Sequence, residues 1–247
     1  MPQQIARLAT HDPVWHDLRA AAAALSDAEP ALASLVQASV LSQARFEDAL
    51  TYILAGKLGT DEVPAVLLRQ IFTELADAHP DIGAAARADI AAILDRDPAC
   101  ASALEPLLFF KGFHAVQAYR FAHALLKAKR RALALHLQAR MNLVFGADIN
   151  PAAILGRGIM IDHGTGVVIG ETAVVGDGVS MLQGVTLGGT GKETGDRHPK
   201  IGAGSVVLKD VPGGCTAAGV PARIVGDCAC AEPAREMDQY FDFDATG

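Results

Sequence analysis

The sequence predicts a two-part α+β chain, an all-α N-terminal domain followed by a β-helix, and three observations carry that expectation. Between residues 149 and 225 an aliphatic side chain recurs every six positions, usually followed by glycine. Only four of the 24 glycines, Gly56, Gly59, Gly83 and Gly112, fall in the first 145 residues. That first stretch is instead rich in alanine and leucine, with apolar residues stepping as they do on helix faces.

The helical part is expected over residues 1–145, with six to eight helices. Asp12-Pro13 reads as a cap followed by a first-turn proline. Leu32, Leu35, Val36 and Val40 step as one helical face, and Phe46, Leu50, Ile53 and Leu54 as another. Ser102 with Glu105 makes a capping box. The β-helix is expected over 146–226. Ile149, Leu155, Ile161 and Val167 are six apart, and after a two-residue slip Ile169, Val175, Met181 and Leu187 keep the same step. Ile201 and Val207 form a third run. A short fixed period of this kind marks rungs that stack on one another, and glycine suits the corners of each rung. A β-sandwich is the alternative, but its strands recur every 8–12 residues or so, too long for this step. Residues 227–247 read as an acidic flexible tail, with six acids against Arg235 alone.

Charge and cysteine usage narrow the function. A net charge of −7 argues against a nucleic-acid binder, which normally shows a basic face. No uncharged apolar run reaches the roughly 18 residues of a membrane span, and no signal-peptide core opens the chain. A cytoplasmic protein is expected. In that compartment Cys100, Cys215, Cys228 and Cys230 are expected as free thiols, and Cys228-Ala229-Cys230 without a second pair gives no metal site.

Four segments of the coil, Gly158 to Gly166 (with Ile161-Asp162-His163-Gly164 inside it), Gly170-Glu171-Thr172-Ala173, Gln183 to Lys192 and Asp196-Arg197-His198-Pro199-Lys200, closely resemble serine O-acetyltransferase. Lys111-Gly112-Phe113-His114-Ala115, Ala118-Tyr119-Arg120 and Ala217 to Gly226 extend the resemblance over nearly the whole chain. It implies a left-handed parallel β-helix, an exception to the right-handed crossover rule, and homotrimers joined through the helical domains into a dimer of trimers, a homohexamer. It implies acetyl transfer from acetyl-CoA to the hydroxyl of L-serine in cysteine biosynthesis, inhibited by L-cysteine, with acetyl-CoA as co-substrate and no tightly bound cofactor.

The chemistry can be argued beside the resemblance. A serine hydroxyl is a weak nucleophile, so its proton must be taken as it attacks the thioester, and histidine has the pKa for that task. His163 sits beside a glycine turn, just after an inward aliphatic, where a rigid edge would project it into a groove. A base needs a partner that fixes its tautomer. Asp148, 15 residues earlier, is close to one three-sided rung away, and stacked rungs lie about 4.8 Å apart. The resemblance gives Asp148 that role, Asp97 and Asp162 the substrate ammonium, Arg197 the carboxylate with His198 beside it, and Glu171 the cleft lining. A guanidinium suits a carboxylate because it can hold both oxygens. Asp97 precedes Pro98, so a plain helix N-cap is the competing reading. Gly188 to Lys192 is no P-loop, because Glu193 follows the lysine and no glycine stands at 186. By resemblance Gly189 and Thr190 line the pantetheine tunnel, Ala203 and Gly204 continue it, and Arg223 lies near the nucleotide phosphates.

Two departures stand out. Relatives place roughly four hexapeptides between the Arg-His-Pro-Lys motif and the Ile-Gly-Ala-Gly-Ser block, whereas here Lys200 runs directly into Ile201. Four hexapeptides are not a whole number of three-sided rungs, so later faces are expected to rotate by one side unless the loop absorbs the difference. Relatives also finish in an isoleucine that engages O-acetylserine sulfhydrylase, while this sequence ends Ala245-Thr246-Gly247, which leaves that partner open. An active enzyme is the leading reading. A catalytically weakened scaffold or regulatory homologue and an acetyltransferase for another small acceptor are the alternatives.

Overall fold

The computed structural model describes residues 12–188, 200–212 and 215–225. Eight α-helices come first among them: α1 (Pro13–Ala28), α2 (Ala33–Val36), α3 (Phe46–Leu58), α4 (Ala65–Ala78), α5 (Pro80–Arg96), α6 (Leu104–Leu108), α7 (Lys111–Lys127) and α8 (Arg131–Phe145). Asp12 caps α1 as expected, its Oδ1 accepting the Trp15 N–H at 3.1 Å. Phe46, Leu50, Ile53 and Leu54 are all buried on α3.

The segment expected as one face from Leu32 to Val40 is broken into a 3₁₀ turn, the short α2 and a π turn at Gln37–Leu41. Side chains claim its carbonyls: Gln43 Nε2 bonds Ala38 O at 2.6 Å, and Arg19 Nη1 bonds Leu41 O and Gln43 O at 3.0 Å. Val36 and Val40 stay buried, but Leu35 turns outward. The Ser102–Glu105 pair also closes out of frame, because Ala103 is already helical. Ser102 Oγ accepts from Leu104 N–H, and Glu105 Oε2 accepts from Ala101 N–H.

Gly146 ends α8 at φ 73°, its N–H bonding Asn142 O at 2.9 Å. From the next residue the chain forms β1 (Ala147–Ile149), β2 (Ile154–Leu155), β3 (Met160–Ile161), β4 (Val167–Ile169), β5 (Val174–Val175), β6 (Ser180–Met181), β7 (Thr186–Leu187), β8 (Lys200–Ile201), β9 (Val206–Val207), β10 (Thr216–Gly219) and β11 (Ala222–Val225). Three sheets result, ordered β1-β4-β7-β9, β2-β5 and β3-β6-β8-β10-β11, and only the β10–β11 pair is antiparallel. From β1 to β7 the chain visits the sheets in turn, so it winds as a three-sided coil of parallel strands. The register is that of the hexapeptide aliphatics: Ile149 under Ile169, Leu187 and Val207; Leu155 under Val175; Ile161 under Met181 and Ile201.

The second sheet has two strands among the described residues, while the first has four and the third five. From Leu187 to Ile201 the chain uses 14 residues where two six-residue sides would use 12, and β8 then stacks in register on β6. The long connection therefore absorbs the expected rotation, and β9 returns to the first sheet on β7.

Buried apolar side chains from Leu18 to Ala217 form one continuous core across helices and coil. The α7 helix makes much of that junction. Its Tyr119 hydroxyl donates to Ala153 O, and its Arg120 Nη2 donates to Gly156 O at 2.9 Å and to Asp89 Oδ2 of α5 at 2.7 Å. Asp89 Oδ1 in turn accepts the Ile159 N–H at 2.8 Å. Cys100 is a free thiol, but Cys215 is disulfide-bonded, contrary to the expectation of free thiols throughout. Thiol pairing depends on the tertiary course of the chain, which spacing alone does not reveal. No helix among the described residues is long and apolar enough to cross a membrane.

Candidate active site

The two-residue slip in the hexapeptide pattern is where the candidate base stands. Ile161 pairs with Met181 and Ile169 with Leu187, so eight residues on one rung face six on the next. The extra pair falls in the corner after β3, which holds Asp162, His163 and Gly164. His163 adopts φ 57° there, and its side chain is 73% exposed. Positive φ is uncommon for a residue with a β-carbon. The flanking Gly164 and Gly166, at φ 73° and 74°, complete the turn, with Gly164 N–H on Asp162 O at 2.7 Å. Neighbouring rungs fix the corner: Gly166 N–H bonds Gly146 O at 2.7 Å, and Gly184 N–H bonds Thr165 O at 2.8 Å.

The helical part closes on the same corner. A β-carbon on Gly112 would overlap the Ile161 carbonyl oxygen, and one on Gly164 would lie 3.1 Å from Gly112 Cα. Lys111 Nζ also hydrogen-bonds Thr165 Oγ1. Behind this contact His114 is buried, its Nε2–H donating to Leu107 O at 2.8 Å. Burial pushes its pKa down to about 4, against the opposing pull of that hydrogen bond. Burial likewise pushes the Tyr119 phenol up to about 12.

His163 Nε2 lies 3.9 Å from Asp162 Oδ1. Asp148 lies on the neighbouring rung, where Gly146, two residues before it, bonds Gly166, three residues after His163. It points outward from β1, and its Oδ1 accepts from Gln138 Nε2 at 2.6 Å. No hydrogen bond or ion pair joins Asp148 to His163 in the described chain. The two stand on neighbouring rungs without direct contact.

Asp97 sits elsewhere, at the C-terminal end of α5. It caps the C-terminus of α5 and accepts Ala99 N–H at 2.9 Å, so the plain helix N-cap reading is corrected to a side-chain turn across Pro98. Arg96 docks this end of α5 on the coil through Nη1, bonding Gly158 O at 3.1 Å and Gly178 O at 2.9 Å. That corner precedes β3, whereas His163 follows it. Glu171 is exposed in the corner after β4. Ala203 and Gly204 form the corner after β8, and Gly204 N–H bonds Gln183 O at 3.0 Å. A β-carbon on Gly166 would lie 3.6 Å from Gly184 Cα, and one on Gly184 3.3 Å from Gly204 Cα. Ala203 and Gly204 thus continue the column of corners that starts at His163. Arg223 is exposed on β11, opposite Ala218. Arg197, His198, Gly189 and Thr190 lie outside the described residues. Among the described residues no group of His, Cys, Asp and Glu is arranged to hold a metal.

Gln138, Lys111, Gly112 and Arg96 surround these positions, and sequence reasoning gave none of them a role. Lys111 and Gly112 stood in a motif of the resemblance; Gln138 carried no local signal. Chemically, the corner offers an imidazole open to a substrate, a carboxylate nearby, and a run of small residues along which an extended ligand can lie.

Comparison with known proteins bears on this arrangement. Residues 14–118 match the family described as serine acetyltransferase, N-terminal. The chain is 49% identical to a serine acetyltransferase of Salmonella typhimurium over 253 positions, covering 93% of each chain. A solved serine acetyltransferase in complex with cysteine gives a TM-score of 0.84 at 47% identity, covering 93% of this chain and 98% of that one. Another, from Brucella abortus in complex with coenzyme A, gives 0.80 at 46% identity, covering 89% and 97%. An alignment of 253 positions that uses 93% of 247 residues leaves about 23 positions where this chain has no residue.

Proposed function

The chain belongs to the serine acetyltransferase family and transfers the acetyl group of acetyl-CoA to the hydroxyl of L-serine, and we propose that it does so at the corner of His163. The observation that carries this reading is the two-residue insertion that holds an exposed imidazole at φ 57° on an otherwise regular coil. His163 takes the proton of the serine hydroxyl as its oxygen attacks the thioester carbonyl. The tetrahedral intermediate collapses, the C–S bond breaks, and the imidazolium returns its proton to the departing CoA sulfur. No serine or cysteine stands in the Asp162–Gly166 turn, which favours direct transfer over an acyl-enzyme.

Asp148 orients the imidazole and stabilises its protonated form, as the acid of such a dyad does. The carboxylate must still move to the ring, or the ring to it, when substrate binds; catalytic hydrogen bonds often tighten only in the complex. Asp97 and Asp162 take the ammonium, Arg197 with His198 the carboxylate, and Glu171 lines the cleft. Asp97 and His163 flank opposite ends of β3, so a site using both favours closure by a second copy, in keeping with a homotrimer or dimer of trimers. Pantetheine follows Gly189 and Thr190 and then the corner column to Ala203 and Gly204, with Arg223 near the phosphates. L-Cysteine differs from L-serine at one atom and is held by the same contacts, which fits the cysteine-bound relative. A left-handed coil, a division into 1–145, 146–226 and 227–247, and a cytoplasmic setting where acetyl-CoA is supplied complete the proposal.

Release of CoA thiol from acetyl-CoA, measured with and without L-serine, tests the reading. Serine-dependent release that L-cysteine suppresses competitively supports it. Release at the rate of background hydrolysis would favour the scaffold alternative.

A further inference from the structure

We propose that Gln138 of α8 is the positioning residue for the dyad acid: its side-chain amide fixes one oxygen of Asp148 and leaves the other for the His163 imidazole. The inference rests on the dyad reading and adds a residue that nothing else assigns. Asp148 points outward from β1, and its ladder neighbour on the next rung is Val168, which offers no side-chain donor. Among the described residues of the coil, no side chain hydrogen-bonds that carboxylate. The Gly146 turn brings α8 back along β1, so a side chain ten residues earlier in sequence reaches the acid. Gln138 Nε2 donates to Oδ1 at 2.6 Å, and no donor to Oδ2 is found among the described residues.

The residue type matters as much as the distance. An amide donates a hydrogen bond without carrying charge. A lysine or arginine at 138 would hold the carboxylate equally well but would neutralise the charge that must stabilise the imidazolium. A neutral donor orients the acid and leaves its charge available. The helical part of the chain thereby supports the chemistry of the coil.

The test is steady-state thiol release by the full chain carrying Gln138→Met, which removes the donor while keeping side-chain length and helix preference. We expect kcat to fall about tenfold, the scale of a lost hydrogen bond to a charged group. The KM values for L-serine and acetyl-CoA should stay within about twofold, as for an interaction expressed only in the transition state. In an Asp148→Asn background the same change should have no further effect, because the carboxylate it orients is gone. An unchanged kcat in Gln138→Met, or an equal loss in both backgrounds, would overturn the positioning role and leave the dyad intact. Wild-type kcat in Asp148→Asn alone would instead remove the dyad itself, and the inference with it.

Discussion

His163 combines left-handed backbone with a solvent-facing ring, which does nothing for the core and costs about 1 kcal/mol of backbone strain. Strain of that kind persists where the surroundings impose it, here the Gly146, Thr165 and Gly112 contacts. His163→Ala should therefore lower kcat by about 10²–10⁴-fold, the usual range for a general base, with helix content and assembly unchanged. His163→Gly should lose as much activity yet keep its unfolding free energy within about 1 kcal/mol, since relief of positive φ offsets the added freedom of the unfolded chain. Urea titration beside the thiol assay checks both. Retained turnover in either variant would remove the base, and a large loss of stability in the glycine variant would make His163 a structural residue. This position was legible in the sequence because a titratable residue beside a glycine turn interrupts a strict period. Gln138 was not, since its partner is fixed by the direction in which α8 runs back along β1, and no local rule encodes that.

The α7 helix shows the same limit one level up. The hexapeptide step revealed the strand register because each aliphatic is an inward position of its own rung. The motifs at Lys111–Ala115 and Ala118–Arg120 gave no such clue, for their contacts lie on the coil more than 30 residues away. Gly112 makes the point testable. A β-carbon there meets backbone rather than a flexible side chain, so Gly112→Ala must shift the turn that carries His163. We expect a stability cost of about 1–3 kcal/mol and a fall in kcat of about tenfold or more, because small misplacements near reacting groups are costly. Gly56 on α3 is the control: nothing lies within 4 Å of its built β-carbon, so Gly56→Ala should leave kcat unchanged and add up to about 1 kcal/mol. Equal behaviour of the two alanine variants would refute the junction argument. The same helix predicts a pH effect. Burial holds His114 near a pKa of about 4 when folded, against about 6.5 unfolded. As pH falls through that window the unfolded chain binds a proton that the folded chain refuses, so stability present above pH 6.5 is lost, by roughly 3 kcal/mol at most. His114→Gln should show a flatter decline between pH 7.5 and 4.5 in urea titrations. A parallel decline in both proteins would mean that His114 titrates freely.

At the scale of the molecule, one continuous core joins helices and coil. The coil's second sheet has two described strands, and the alignment leaves about 23 positions of the relatives without a counterpart here. The number is close to the four hexapeptides expected to be missing after Lys200. What the sequence left undecided was whether the later faces would turn out of phase, and the two extra residues between Leu187 and Ile201 answer that, since β8 and β9 return in register. The column of corners from His163 to Gly204 therefore stays continuous, and the reacting end of the proposed groove keeps its corners. On the proposed path of the co-substrate, what is removed is wall along the ligand's length, remote from the carbonyl. Interactions of that kind stabilise substrate and transition state alike, so their absence raises KM while kcat changes little. With about 1 kcal/mol for each lost hydrogen bond, two missing contacts weaken binding roughly 30-fold. Calorimetric titration of CoA into this protein and into a full-length relative measures the difference directly. Equal affinity would mean that the absent rungs never contributed to the groove. No detectable heat at millimolar CoA, together with absent serine-dependent thiol release, would make the chain a scaffold that keeps the fold and has lost the co-substrate.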